Sequence, residues 1–251
     1  MFENLKIIEL ASVLAGPSTG MFFSELGAEV IKIENKNTDG DITRQWKTSE
    51  ESKTDQSAYF SSVNWGKRHL LLDLEQKDDM SILKNLIRTA DIIITNFKSG
   101  DDKKFNLTFN DCKQINPNII YAHLAGFRSE PERVAFDVVI QAETGYMSMN
   151  GHKDGPPTKM PLAFMDILAA HQLKEGILIA LIQQIKKPKA YLVETTLEES
   201  GIASLANQAS NYLMLDQTAH RIGSLHPNIA PYGEIIYTKE NTEIVLAIGT
   251  D

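Results

Sequence analysis

Five short runs, apolar along nearly their whole length, constrain this chain more than any other feature: LKIIEL (5–10), AEVIKIE (28–34), HLLLDL (69–74), DIIITNF (91–97) and NIIYAHLAGF (118–127). Runs of this length with almost no polar alternation read as strands buried on both faces. Helical stretches such as DDMSILKNLIRTA (78–90) separate them. Strands alternating with helices imply an α/β fold: a Rossmann-like parallel sheet with helices on both faces. Ligands of such sheets gather at the carboxyl ends of the strands.

Beyond residue 136 the pattern continues as a helical stretch (137–149), a Gly-Pro-rich loop (151–161), a long amphipathic helix from about Asp166 to Gln184, a strand (190–196) and a further helix through Leu215. Two β-rich runs, YGEIIYT and EIVLAIG, then flank the turn KENT. The expected division is a large Rossmann-like domain over 1–215, with 216–251 as linker and beginning of a smaller second domain. The segment 35–56 reads as a long exposed loop.

The formal charge of −8 argues against a general nucleic-acid or anionic-membrane surface, so phosphate recognition has to be local. One cysteine, Cys112, allows neither an internal disulfide nor a cysteine zinc cage and suits a reducing, cytoplasmic setting. No apolar run reaches membrane-spanning length, and the first residues lack the order of a signal peptide. The six histidines (His69, His123, His152, His171, His220, His226) show no ligand spacing, so no metal is assigned.

Several segments can carry chemistry, each with a plainer alternative. VLAGPST (13–19) opens a helix N-terminus but lacks the glycine spacing of a phosphate loop. Arg44 beside Trp46 suits an anion or a ring, or is a solvated surface arginine. Lys67 and Arg68 before one strand, and Asn96, Phe97 and Lys98 after another, could hold a phosphorylated nucleotide or serve solubility. Asp137 precedes VVIQAETG and reads as a helix N-cap, a place that also stabilises a carboxylate as the anion. Asp166 opens the next long helix in the same way.

Taken together, LKIIELASVLAGP, LGAEVIKIE, GDITRQW, NWGKRHLLLDL, DIIITNFKSG, INPNIIYAHLAGF, FDVVIQAETGYMSMNG and HPNIAPYG resemble the class III CoA-transferase family, also called the carnitine dehydratase and bile-acid-inducible protein family, along essentially the whole chain. The resemblance implies a large Rossmann-like domain, a smaller domain and an interlocked homodimer. It implies transfer of CoA from an acyl-CoA donor to a carboxylic acid acceptor, with CoA as substrate and no permanently bound cofactor. It places the nucleophile at Asp137, and CoA contacts at Leu14, Ala15, Leu72, Asp73, Leu74, Glu75, Asn96, Phe97, Lys98 and Lys104. Asn35 and Glu75 depart from the arginine and lysine of the formyl-CoA transferases, with Lys36 or Lys77 as nearby substitutes.

Two other readings stand beside this one. An α-methylacyl-CoA racemase uses a histidine immediately before the position of Asp137; here that residue is Phe136, while Asp166 matches the racemases' acidic partner. Because family members continue for roughly another hundred residues, the chain is also expected to be a catalytically incomplete nucleotide-binding fragment of a longer protein.

Overall fold

The structure, a computed structural model, describes residues 1–51 and 57–249. The chain runs β1 (Lys6–Leu10), α1 (Ala15–Glu25), β2 (Glu29–Asn35), α2 (Ala58–Ser61), β3 (Arg68–Leu72), α3 (Lys77–Thr89), β4 (Ile92–Thr95), α4 (Asp101–Lys104), α5 (Phe109–Ile115) and β5 (Ile120–Ala125). It continues with α6 (Asp137–Glu143), α7 (Tyr146–Met149), α8 (Phe164–Lys186), β6 (Tyr191–Thr196), α9 (Leu197–Ala203), α10 (Asn207–Leu215), β7 (Tyr232–Tyr237) and β8 (Glu243–Ala247).

Two compact units divide it: residues 1–135 with 165–200, and residues 136–164 with 201–251. The units do not follow a single cut at residue 215. The first unit holds a six-stranded parallel sheet in the order β3-β2-β1-β4-β5-β6. Burial follows position in that sheet. All four β4 residues are buried, whereas β6 at the edge alternates between half-buried and exposed before its last two residues. Central strands are therefore mostly apolar, which makes them easy to read from the sequence.

One face of the sheet, with Ile8, Ile33 and Ile93, packs on Leu83 and Ile87 of α3 and Cys112 of α5. On the other face α1 and α8 lie side by side, and Thr19 Oγ1 donates to the Ala170 carbonyl at 3.4 Å. Glycines let each helix approach the chain beneath it. A Cβ at Gly16 would fall 2.3 Å from the Ala11 Cβ, and one at Gly176 would fall 2.5 Å from Val193 Cγ1.

The strand order reverses between β1 and β4, where chains leaving the sheet to either side open a crevice. The segment 35–56 is less open than its polarity suggests. Asp41, the N-cap of a short 3-10 turn (Ile42–Gln45), and Thr43 within it are buried, and residues 52–56 lie outside the described residues. The second unit contains α6, α7, α10 and the antiparallel pair β7–β8.

Candidate active site

The first turn and the end of β4 meet at the switch point of the sheet. Asn96 Nδ2 donates to the Ser12 carbonyl at 2.9 Å, and its Oδ1 accepts from the Ser12 N–H at 3.0 Å. Leu14 and Ala15 follow directly, with Ala15 as the first residue of α1. Helix α1 begins three residues earlier than Ser18, where the apolar period starts; Pro17 fits inside the first turn because its missing N–H has no intrahelical partner there.

From Asn96 the site extends along the sheet edge. The Phe97 ring lies 6.3 Å from that of Phe105, and Phe105 lines an open groove of about 610 Å³ with Leu74, Glu75, Lys77, Lys84, Arg88 and Lys104 among its walls. Lys104 Nζ sits 2.6 Å from Glu75 Oε1 and 5.0 Å from the Phe105 ring centroid. The Glu75 carboxylate beside it raises the Lys104 pKa. Four cations around one carboxylate make this groove locally positive on an acidic chain. It brings together Leu74, Glu75 and Lys104 of the expected contacts.

Lys84 and Arg88 escaped the sequence reading. Their signal was present: residues 77, 84 and 88 share one face of a 3.6-residue period. A lysine or arginine on a solvated helix carries no ligand information until the opposite wall is known.

The walls of the groove do not include Leu72, Asp73 or Lys98. Leu72 is 3% exposed and belongs to the core, so its side chain offers nothing to a ligand. Asp73 is turned inward on its own loop, its N–H donating to Asp79 and its carboxylate accepting from the Glu75 N–H. Lys98 is exposed. Lys67 is buried and bound to Glu9 at 2.8 Å, so it presents no charge to a nucleotide.

Arg44 is likewise committed internally. Its Nε and Nη2 donate to the Glu34 carboxylate at 2.7 and 2.6 Å, and its guanidinium stacks 3.8 Å from the Phe60 ring centroid. Burial opposes ionisation of Glu34, but hydrogen bonds from Arg44, His69 and the Asp41 N–H outweigh it and hold the carboxyl well below the usual range. Trp46 packs edge-on against Tyr59 at 5.0 Å.

Asp137 is the first residue of α6, whose N-cap is Phe136, so it is not the cap that its position before VVIQAETG suggests. Its Oδ2 accepts from Gln141 Nε2 at 2.5 Å. Gln141 is fully buried and its orientation is fixed because its Oε1 accepts from the Met160 N–H at 2.7 Å. Both residues lie in the second unit. Asp166 is the third residue of the 23-residue helix α8 and falls in the first unit, one turn before Ala170.

Among the described residues no group of His, Cys, Asp and Glu could hold a metal ion, and no helix is long and apolar enough to cross a membrane. The model of the family described as CoA-transferase family III matches residues 2–251. The succinate–glutarate CoA-transferase of Agrobacterium fabrum is 35% identical over 99% of this chain and 63% of its own length. The human succinyl-CoA:glutarate CoA-transferase is 32% identical over 97% of this chain and 55% of its own. A crystal structure of a CAIB/BAIF family protein from Brucella suis superposes with a TM-score of 0.89 at 34% identity, covering 99% of this chain and 66% of that one. The chain thus spans less than two thirds of the length of these relatives.

Proposed function

This chain belongs to CoA-transferase family III, and on that premise we propose that it moves CoA from an acyl-CoA donor to a carboxylic acid acceptor through a side-chain carboxylate. The observation that carries the reading is a path of residues within one compact unit: the Ser12–Asn96 junction, the Phe97–Phe105 ring pair and the cationic groove. That path suits a long phosphorylated thiol. Lys77, Lys84, Arg88 and Lys104 would take the phosphates, and the helix N-terminus after Leu14 would face the rest.

The chemistry needs one carboxylate and no metal-held water. The anion attacks the donor thioester carbonyl, forming a mixed anhydride and releasing CoA thiolate. The thiolate attacks the enzyme's side of the anhydride, giving an enzyme thioester and freeing the donor acid. The acceptor carboxylate attacks that thioester, and the released thiolate then takes the acceptor's acyl group, restoring the free side chain.

Two carboxylates compete for this role. Asp137 is the one the family resemblance marks, and Gln141 would hold it in one orientation. The geometry favours the second, Asp166. It stands in the first turn of a long helix, whose aligned peptide dipoles stabilise an anion, and it shares a unit with the cradle. Asp137 opens a helix of seven residues in the other unit. Phe136, 62% exposed, offers no proton-transferring group beside it, which supports transfer over racemisation.

The names of the relatives point to succinyl-CoA as donor and glutarate as acceptor. Pairing into an interlocked homodimer and a cytoplasmic setting belong to the same proposal, with sedimentation and fractionation as their tests. The deciding experiment incubates the chain with succinyl-CoA and glutarate, traps with hydroxylamine and locates the hydroxamate by mass spectrometry. Modification of Asp166, lost in Asp166→Ala, is the expected result. Modification of Asp137 would transfer the role there, and a transferring enzyme modified at neither would end the covalent reading.

A further inference from the structure

The turn between β1 and α1 is fixed by side chains from four other segments. Lys32 Nζ donates to the Ala11 carbonyl at 2.6 Å, and Asn96 takes both backbone groups of Ser12. Asp41 Oδ2 accepts from the Val13 N–H at 3.3 Å, and Lys67 Nζ donates to the Pro17 carbonyl at 2.8 Å. The charges cancel among themselves. Lys32 Nζ is 3.0 Å from both Glu9 Oε1 and Asp41 Oδ2, and Lys67 Nζ is 2.8 Å from Glu9 Oε2, with all four side chains at most 1% exposed. Gly20 on α1 makes room for this group, since a Cβ there would fall 1.9 Å from Glu9 Oε2.

A buried, balanced set of charges contributes little net stability, because desolvation offsets most of the attraction. Apolar side chains would fill the same space as well or better. What such a set can do is impose a geometry. Val13 needs imposing upon: its φ is +73°, a left-handed conformation that a β-branched residue avoids unless its surroundings over-determine it. Asp41 is built for the task, with its other oxygen held by the Thr43 N–H at 3.0 Å and Oγ1 at 2.8 Å.

We propose that Asp41, with Lys32 as its counter-ion, is a positioning residue that clamps Val13 in the left-handed conformation and thereby aims the backbone N–H groups of Leu14 and Ala15 at the bound CoA. The clamp is a statement about the turn alone; its consequence for CoA rests on the function proposed above. The side-chain cage takes the place of the glycines that other folds use to bend a phosphate-binding turn.

The test uses the 251-residue chain and its Asp41→Ala, Asp41→Asn, Val13→Gly and Asp41→Ala/Val13→Gly variants, read by peptide-resolved hydrogen exchange and by CoA titration. In Asp41→Ala, exchange across residues 11–16 should rise at least about tenfold while peptides from β4 and β5 stay unchanged. Asp41→Asn, of the same shape, should fall between this variant and the parent. Glycine adopts the required φ without strain, so the double variant should recover CoA affinity to within about threefold of Val13→Gly alone. Unchanged exchange in both Asp41 variants, or acceleration spread evenly over the sheet, would overturn the clamp. So would failure of glycine to recover affinity in a folded double variant. If the parent chain binds no CoA, the cradle falls, while the exchange pattern still decides the clamp.

Discussion

Asn96 grips both backbone groups of Ser12, its amide oxygen on the N–H at 3.0 Å and its amide nitrogen on the carbonyl at 2.9 Å. The contact joins the residues following β1 and β4, which are neighbours in the sheet but 84 residues apart in the chain. Asn96, expected to touch CoA, has both polar atoms of its side chain engaged with the turn after β1. Asn96→Ala should therefore lower stability by about 1–2 kcal/mol, the worth of a half-buried hydrogen-bonded pair, and weaken CoA binding. Asn96→Asp keeps the acceptor and loses the donor, so it should fall between. Thermal melts and calorimetric titration check both.

The groove predicts a graded response to charge removal. Lys84→Ala and Arg88→Ala should each weaken CoA binding by roughly three- to tenfold at low salt, and the loss should shrink as salt screens the groove. A truncated pantetheine thioester lacks the phosphates, so its binding should be unaffected. Equal losses for both ligands would show that these side chains act on the fold.

Cys112 gives a chemical readout of burial. Desolvation is the main cause, with Asp111 adding to it, that pushes the thiol up to about 12. Iodoacetamide at pH 8 should leave the folded protein unmodified and alkylate it fully in denaturant. The sign on stability follows from a folded pKa raised above the unfolded value of 9.0. This contribution is intact below pH 9 and is lost as pH rises toward 12, because the unfolded chain ionises first. Cys112→Ala should flatten that alkaline slope.

At the acid end Glu34 sets the sign. Its folded pKa lies below the ordinary value of 4.5, so its contribution is present above that pH and is lost as pH falls. Arg44→Met removes the two guanidinium hydrogen bonds and should destabilise the fold by roughly 2 kcal/mol at pH 7, discounted for the partial exposure of Arg44. The gap between parent and variant should narrow below pH 4 in denaturant titrations.

The Gln141 amide tests the competing carboxylates without touching either. Gln141→Leu fills similar volume but removes the amide hydrogen bond to Asp137 and leaves the Met160 N–H without its acceptor. If Asp166 carries the acyl group, the position of the trapped hydroxamate should be unchanged in this variant, with any effect confined to rate. A shift in which residue is trapped would count for Asp137.

Much of this protein was legible in its residues. The strands β1, β4 and β5 are mostly buried, so most of their side chains are apolar and the sheet could be read from that pattern, while the family was legible as a resemblance of whole segments. The hairpin β7–β8 and the long helix α8 were legible for the same local reason, period and turn chemistry. What the sequence could not reveal was the use of each charge. Lys67 and Arg44 look like surface cations, and Lys84 and Arg88 look the same. Only the fold places the first pair inward against Glu9 and Glu34 and the second pair around a groove. The physical reason is range: a strand's apolarity is set by its own burial, whereas a charged side chain takes its role from partners brought close by packing, often many residues away.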